Sequence, residues 1–114
     1  MLLFKDLNDH YRGIFSVYEF NNSQPVSIKE RRKIRESFKS ARRRASGTAE
    51  VVVEADDRDK LVDVLVFCFM PNHIHLLLKQ KQESGIHKFM VKFGSGYGRY
   101  FNQKNQSKGY VFQN

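Results

Sequence analysis

Apolar residues recur every three or four positions between Leu3 and Tyr18, with polar residues between them. This period is that of an amphipathic helix, so the pattern predicts a helix over residues 3–19. The polar, turn-forming run at residues 20–25 ends it.

Residues 61–70 are apolar almost throughout, which is typical of a central strand covered on both faces. Pro71 and Asn72 then predict a tight turn, because proline presets φ and asparagine tolerates positive φ. Residues 73–79 return as the antiparallel partner. The two segments together predict a β-hairpin.

Two histidines lie two positions apart on the second strand of this hairpin, and side chains two apart point to the same face. With a two-residue loop, His73 lies opposite Met70 and His75 opposite Cys68. The histidine face carries the slimmer side chains and leaves room for a ligand. That face holds Val66, Cys68, His73, His75 and Leu77, and the core face holds Phe67, Phe69, Ile74, Leu76 and Leu78.

A second helical stripe runs from Ile86 to Phe101 in steps of three and four, and Ser84 is predicted to cap this helix. Three glycines interrupt it, at a cost of about 1 kcal/mol each relative to alanine. They indicate close approach of another element or a ligand, or else a local kink. The three are Gly94, Gly96 and Gly98. Short strands are predicted at residues 51–53 and 110–112.

Residues 27–46 contain nine Lys or Arg against two Glu and therefore supply +7 of the net charge of +8. Two interpretations stay open. The segment is a helix or partly disordered arm that lies along a phosphate backbone with strong salt dependence, or it is a solvated basic insertion.

Composition fits one soluble domain of 114 residues, with 40% apolar residues and no apolar run long enough to cross a membrane. The amino terminus is not a signal peptide. The single cysteine, Cys68, is expected to pack in the sheet and cannot form an internal disulfide, which favours a reducing, cytoplasmic location. The pI near 9.8 favours a polyanionic partner, nucleic acid before an acidic membrane.

The His-x-His pair has two interpretations: a metal-binding pair, or two half-buried histidines at the end of a sheet. A histidine-triad nucleotide hydrolase is excluded because Leu77 occupies the third position of that motif. A zinc hydrolase would need a third ligand nearby, and neither His10 nor His87 shares the strand.

Residues 69–78 (Phe-Met-Pro-Asn-His-Ile-His-Leu-Leu-Leu) resemble the HUH motif of the single-tyrosine transposases, the insertion-sequence-200-like family. Three further stretches resemble its REP-associated branch. They are residues 85–90 (Gly-Ile-His-Lys-Phe-Met), 97–102 (Tyr-Gly-Arg-Tyr-Phe-Asn) and 109–113 (Gly-Tyr-Val-Phe-Gln). The resemblance covers residues 61–113 well.

The resemblance implies an α+β, ferredoxin-like antiparallel sheet with packed helices and a central HUH hairpin, in one domain with a basic insertion at about residues 21–60. It implies cleavage and rejoining of single-stranded DNA, often beside a DNA hairpin, through a 5′-phosphotyrosine. His73, His75 and one further polar side chain would hold Mg²⁺ or Mn²⁺. A monomer or homodimer without membrane contact is expected.

The sequence departs from the branch at both ends. The branch carries its nucleophile in a Tyr-Ile-x-x-Asn-Pro motif, which this sequence lacks, and an initial Asn-Arg-Gly strand is also missing. By the resemblance, the family nucleophile would lie beyond Asn114, so we expect a truncated chain without the catalytic tyrosine. Tyr97 and Tyr100 are the substitute nucleophiles within the chain, and Asn102 or Gln103 the substitute third metal ligands.

The competing function is a non-catalytic, basic nucleic-acid-binding domain. It would combine the basic segment with a surface of Tyr97, Arg99 and Tyr100, on which unpaired bases could stack. The residues predicted to contact nucleic acid are Arg31, Arg32, Lys33, Arg35, Arg42, Arg43, Arg44, Arg99 and Lys104.

Overall fold

The computed structural model describes residues 2–44 and 56–112, without the side chains of Arg42 and Arg44. The elements are α1 (Leu7–Glu19), α2 (Ile28–Arg44), β1 (Val62–Met70), β2 (His73–Gln80) and α3 (Gly85–Asn105). The predicted α+β class is confirmed. The strand predicted at residues 51–53 lies outside the described residues. None of the described helices is long and apolar enough to cross a membrane.

Helix α1 begins at Leu7 and not at residue 3, because the Asp6 side chain caps it by accepting a hydrogen bond from a backbone N–H of the first turn. Leu3 and Phe4 instead lie on the tip of the hairpin. Their backbone N–H groups donate to the Pro71 carbonyl at 2.7 and 3.2 Å, and both side chains are buried. Tertiary packing, and not a helical stripe, explains why these two positions are apolar.

The core is built on the predicted stripe of α3, whose buried members are spaced four residues apart and so lie on one face of the helix. Neighbouring rings stack, with the centroids of Phe93 and Tyr97 6.2 Å apart. Ile86 and Met90 lie at the margin of the stripe and are 38% and 41% exposed. The buried side chains are Phe89, Phe93, Tyr97 and Phe101.

Both ends of α3 differ from the prediction. Ser84 has φ of 58° and makes no side-chain cap, so the predicted capping role is wrong. After the helix, residues 110–112 form no strand and fold back onto α3. Val111 is buried there, and the ring of Phe112 lies 5.6 Å from that of Phe93. Packing onto the helix therefore takes the place of strand pairing.

Gly96 is where another element approaches α3 closely. A Cβ at this position would lie 2.2 Å from ring atoms of Phe20, which follows α1. At Gly98 and Gly94 a Cβ would have ordinary contacts of 3.6 and 3.9 Å. Close approach is therefore confirmed for Gly96, and it is made by a phenylalanine ring.

Strand β1 pairs with β2 in a two-stranded antiparallel sheet, and the predicted register is confirmed. A bulge between Val64 and Val66 shifts the pairing by one residue. Val64 therefore lies on the core side together with Phe69, because the extra residue reverses the alternation of faces along β1.

Helices α1 and α3 both pack on one face of the hairpin, the inner face. The ring of Phe69 meets Gly13 of α1 there. The outer face is open, and Leu65 and Val66 are 58% and 57% exposed. The prediction that β1 is covered on both faces is therefore wrong for the described residues. Phe67, predicted in the core, is 45% exposed and borders the ring of Phe69.

Candidate metal and nucleic-acid site

The hairpin presents both predicted metal ligands on its outer face. His73 and His75 are exposed and alternate along β2 with half-buried Ile74 and Leu76 of the inner face. Their cross-strand partners are Met70 and Cys68. The site thus lies on a rigid strand directly after a tight turn and is open to a macromolecular ligand.

The two imidazole rings face each other through their outer nitrogens. Nε2 of His73 and Nε2 of His75 are 3.0 Å apart, and the ring planes are nearly perpendicular, at 82°. Nδ1 of His73 lies 2.7 Å from Oδ1 of Asn72. The neutral tautomer with its proton on Nδ1 would donate to that oxygen and leave Nε2 of His73 with a lone pair for a metal ion.

This spacing fits two ligands of one divalent ion. Nitrogens about 2.1 Å from an ion at the right angle of an octahedral site are about 3.0 Å apart. Asn72 would act as an outer partner that fixes the orientation of the His73 ring. His73 and His75 could therefore hold Mg²⁺ or Mn²⁺ by two adjacent positions, with no change in the hairpin.

Among residues 2–44 and 56–112, no group of three or more His, Cys, Asp or Glu side chains could hold a metal ion, so no third ligand of these types joins the histidine pair. The Asn102 amide is occupied at the far end of α3, donating to the Gly109 carbonyl and accepting from Ser107. Gln103 is exposed on the same helix. Cys68 is exposed and not packed as predicted, with its thiol 3.7 Å from the Met70 sulfur.

The two substitute nucleophiles are both engaged on the inner side of the sheet. Tyr97 is fully buried and donates to the Leu3 carbonyl at 2.6 Å, and burial raises the pKa of its phenol. Tyr100 donates to Asp9 at 2.7 Å, and burial followed by that hydrogen bond raises its pKa. A buried, protonated phenol is a poor nucleophile, so this placement disfavours Tyr97. It also removes Tyr97 from the proposed stacking surface.

The expected position of the family nucleophile, beyond Asn114, lies outside the described residues, because their second range ends at residue 112. The burial of Tyr97 disfavours its substitute role, and a nucleophile after Asn114 stays a prediction.

Three residues predicted to contact nucleic acid pair with carboxylates of the chain. Arg31 and Arg35 both bond to Glu19, which is 1% exposed, at distances of 2.6 to 3.0 Å. Lys104 bonds to Asp9, and its hydrogen bonds with aspartates raise its pKa. These three cations therefore have a structural role that charge counting did not reveal.

The other predicted nucleic-acid contacts remain open to solvent where the structure describes them. The exposed residues are Arg32, Lys33, Arg43 and Arg99. The side chains of Arg42 and Arg44 lie outside the described part. Helix α2 itself is confirmed, and it is held against α1 through the Glu19 ion pairs.

Sequence reasoning missed two residues. Asn72 was assigned to the turn, yet it also holds the His73 ring; an amide adjacent to a candidate ligand is a signal for such a role. Arg12 of α1 was not among the predicted site residues, yet its Nε is buried without a hydrogen-bond partner in the described part of the chain. No sequence pattern marks a group of that kind.

A family model described as "Transposase IS200 like" matches residues 26–113. The matched range includes α2, the whole hairpin and α3. No curated protein and no solved structure matches the chain.

Proposed function

Because this chain belongs to the family of IS200-like transposases, we propose that it binds single-stranded DNA and engages it through a divalent ion held by His73 and His75. The DNA would be cleaved and rejoined in the chemistry that the resemblance to HUH transposases implies. The observation that carries the proposal is the 3.0 Å approach of the two Nε2 atoms on an exposed strand.

Different residues of the hairpin would bind the ion, orient its ligands and admit the DNA strand. His73 and His75 supply two fixed nitrogens, and Asn72 orients the first ring through Nδ1. Such an ion would polarise the scissile phosphate as a Lewis acid. The exposed outer face of the hairpin, including Val66 and Leu77, leaves an extended strand room to reach the pair.

The attacking hydroxyl is assigned to neither Tyr97 nor Tyr100. Both phenols donate hydrogen bonds within the fold, and the pKa of each is raised. A phosphotyrosine formed by either would require the helix to give up these bonds. The proposal therefore concerns metal-dependent engagement of DNA first and covalent cleavage second.

The test is gel retardation of labelled single-stranded hairpin DNA with Mn²⁺ or with EDTA. We expect Mn²⁺ to strengthen retention in the wild type and to have no effect on His73→Ala/His75→Ala. His87→Ala removes an exposed histidine of α3 and serves as the matched control. Equal retention with Mn²⁺ and EDTA in the wild type would contradict the proposal. On a denaturing gel, a covalent band lost in the double variant would extend it to cleavage.

The second candidate is DNA binding without metal, through the exposed cations of α2. It is favoured by Arg32, Lys33 and Arg43, which stay open to solvent on one basic helix. This candidate predicts strong salt dependence and DNA retention that is equal with Mn²⁺ and with EDTA, in the wild type and in the histidine double variant alike.

A further inference from the structure

A groove of about 560 Å³ separates α1 from α2, a volume within the roughly 300–1,000 Å³ of ligand pockets. It lies on the helical side of the molecule, whereas His73 and His75 lie on the outer face of the sheet. The groove is therefore separate from the candidate metal site. Its lining includes Tyr11, Arg12, Arg32, Glu36, Lys39 and Tyr100.

Arg12 is the unusual member of this lining. Its guanidinium carbon lies 4.9 Å from the centre of the Tyr100 ring, and Tyr100 is itself fixed by its bond to Asp9. The Nε atom of Arg12 is buried and has no hydrogen-bond partner in the described residues. A buried donor without a partner is unfavourable because it has lost its hydrogen bonds to water, and an acceptor oxygen of a ligand would satisfy it.

The described charges around Arg12 are mostly positive. Burial, followed by the positive charge of Arg32, lowers the pKa of the Arg12 guanidinium. Lys39 and Arg35, the latter paired with Glu19, bring the cations of the lining to four, against the single carboxylate of Glu36. Two neighbouring guanidinium groups, one of them stacked and partly desolvated, form a site for an anion with several acceptor oxygens.

We infer that the groove between α1 and α2 binds a phosphate group of a nucleic-acid strand, with Arg12 and Arg32 as its donors. The partner class follows from the DNA binding in the proposed function, on which this inference rests, but the site does not depend on the histidine pair. Tyr11, 61% exposed at the groove, offers a ring on which an unpaired base can stack. This favours a single strand over free phosphate.

The test is fluorescence anisotropy with labelled oligo(dT) of about 20 nucleotides, longer than common single-strand sites. EDTA is present throughout, so that the metal pair does not contribute. Arg12→Gln and Arg32→Gln are compared with Lys88→Gln, which removes the same charge from an exposed position on α3. Circular dichroism checks the fold, and Arg32→Gln, being exposed, keeps the test decisive if Arg12→Gln unfolds.

We expect each arginine variant to bind about tenfold more weakly. Each should also lower the slope of log K against log[salt] by about 0.7, the loss of one single-strand phosphate contact. Lys88→Gln should stay within about twofold of the wild type. Arginine variants indistinguishable from Lys88→Gln would overturn the inference. Binding of inorganic phosphate that is lost in Arg12→Gln, together with oligonucleotide binding that is unchanged in Arg12→Gln, would overturn the nucleic-acid assignment.

Two comparisons separate this inference from the proposed function. His73→Ala/His75→Ala should bind oligo(dT) in EDTA as the wild type does, because the groove is intact. Arg12→Gln should still respond to Mn²⁺. Loss of one behaviour without the other therefore identifies which of the two sites fails.

Discussion

Replacing Glu19 by Gln tests what holds the basic helix α2 against α1. Glu19 is 1% exposed, and its two oxygens accept hydrogen bonds from the guanidinium groups of Arg31 and Arg35. Arg31 Nε donates at 2.8 Å, and Arg35 donates at 3.0 and 2.6 Å. Glutamine keeps the volume, removes the charge and turns one acceptor into a donor that faces an arginine.

The magnitude follows from the burial of the partners. Removing one member of a fully buried ion pair costs about 3–5 kcal/mol. The Arg31 and Arg35 side chains keep 21% and 31% of their surface exposed. Water can rehydrate them, which lowers the expected cost to about 2–3 kcal/mol. For a chain of this size that loss lowers Tm by about 10–15 °C.

Urea unfolding followed by far-ultraviolet circular dichroism measures the free energy of unfolding directly. Glu83→Gln, at an exposed carboxylate outside the network, is the matched control and should change stability by less than about 0.5 kcal/mol. If Glu19→Gln were as stable as this control, the ion pairs would not anchor α2, and the reasoning about Arg31 and Arg35 would be refuted.

Two other predictions concern the packing of α3 and the acid limb of stability. Gly96→Ala places a Cβ 2.2 Å from the Phe20 ring and should lower the free energy of unfolding by about 1–3 kcal/mol. Gly98→Ala has room for its Cβ and should raise that free energy by up to about 1 kcal/mol. Thermal melts that reverse this order would contradict the close approach at Gly96. Burial raises the pKa of Asp9, but hydrogen bonds led by that of Lys104 outweigh it, and the net pKa is lowered. The ionised Asp9 carboxylate therefore stabilises the fold above its ordinary pKa of about 3.9, and this stability is lost as the pH falls through the lower pKa of the folded state. In urea unfolding from about pH 5 to 2, Asp9→Asn should lose less stability with falling pH than the wild type does. An acid limb as steep as that of the wild type would assign the loss to other carboxylates.

The hairpin could be predicted from the sequence because its determinants are local. Pro71 and Asn72 fix the turn, and strict alternation after the turn fixes which side chains share a face. The apolar stripe of α3 could also be predicted, since helical spacing alone places Phe93 and Tyr97 on one side of the helix. The placement of His73 and His75 side by side on one face could therefore be predicted from the sequence, but the contact of Asn72 with the His73 ring could not.

The basic surface could not be predicted in this way. Charge counting treats Arg31, Arg32 and Arg35 alike, but tertiary packing brings the buried Glu19 against two of them and leaves the third exposed. The same holds for Arg12, whose Nε is buried without a partner among the described residues and whose guanidinium lies over the ring of Tyr100, 88 positions later in the sequence. Long-range pairing of this kind leaves no periodic signal in the sequence.

The central claim is that His73 and His75 share one divalent ion, and titration calorimetry with Mn²⁺ tests it most directly. The account predicts one ion per chain for the wild type and for His87→Ala. It predicts affinity lowered by more than about tenfold in His73→Ala and in His75→Ala alike, since even outer partners of metal ligands are worth that much. A wild type that takes up no Mn²⁺, or binding that survives both substitutions, would contradict the assignment.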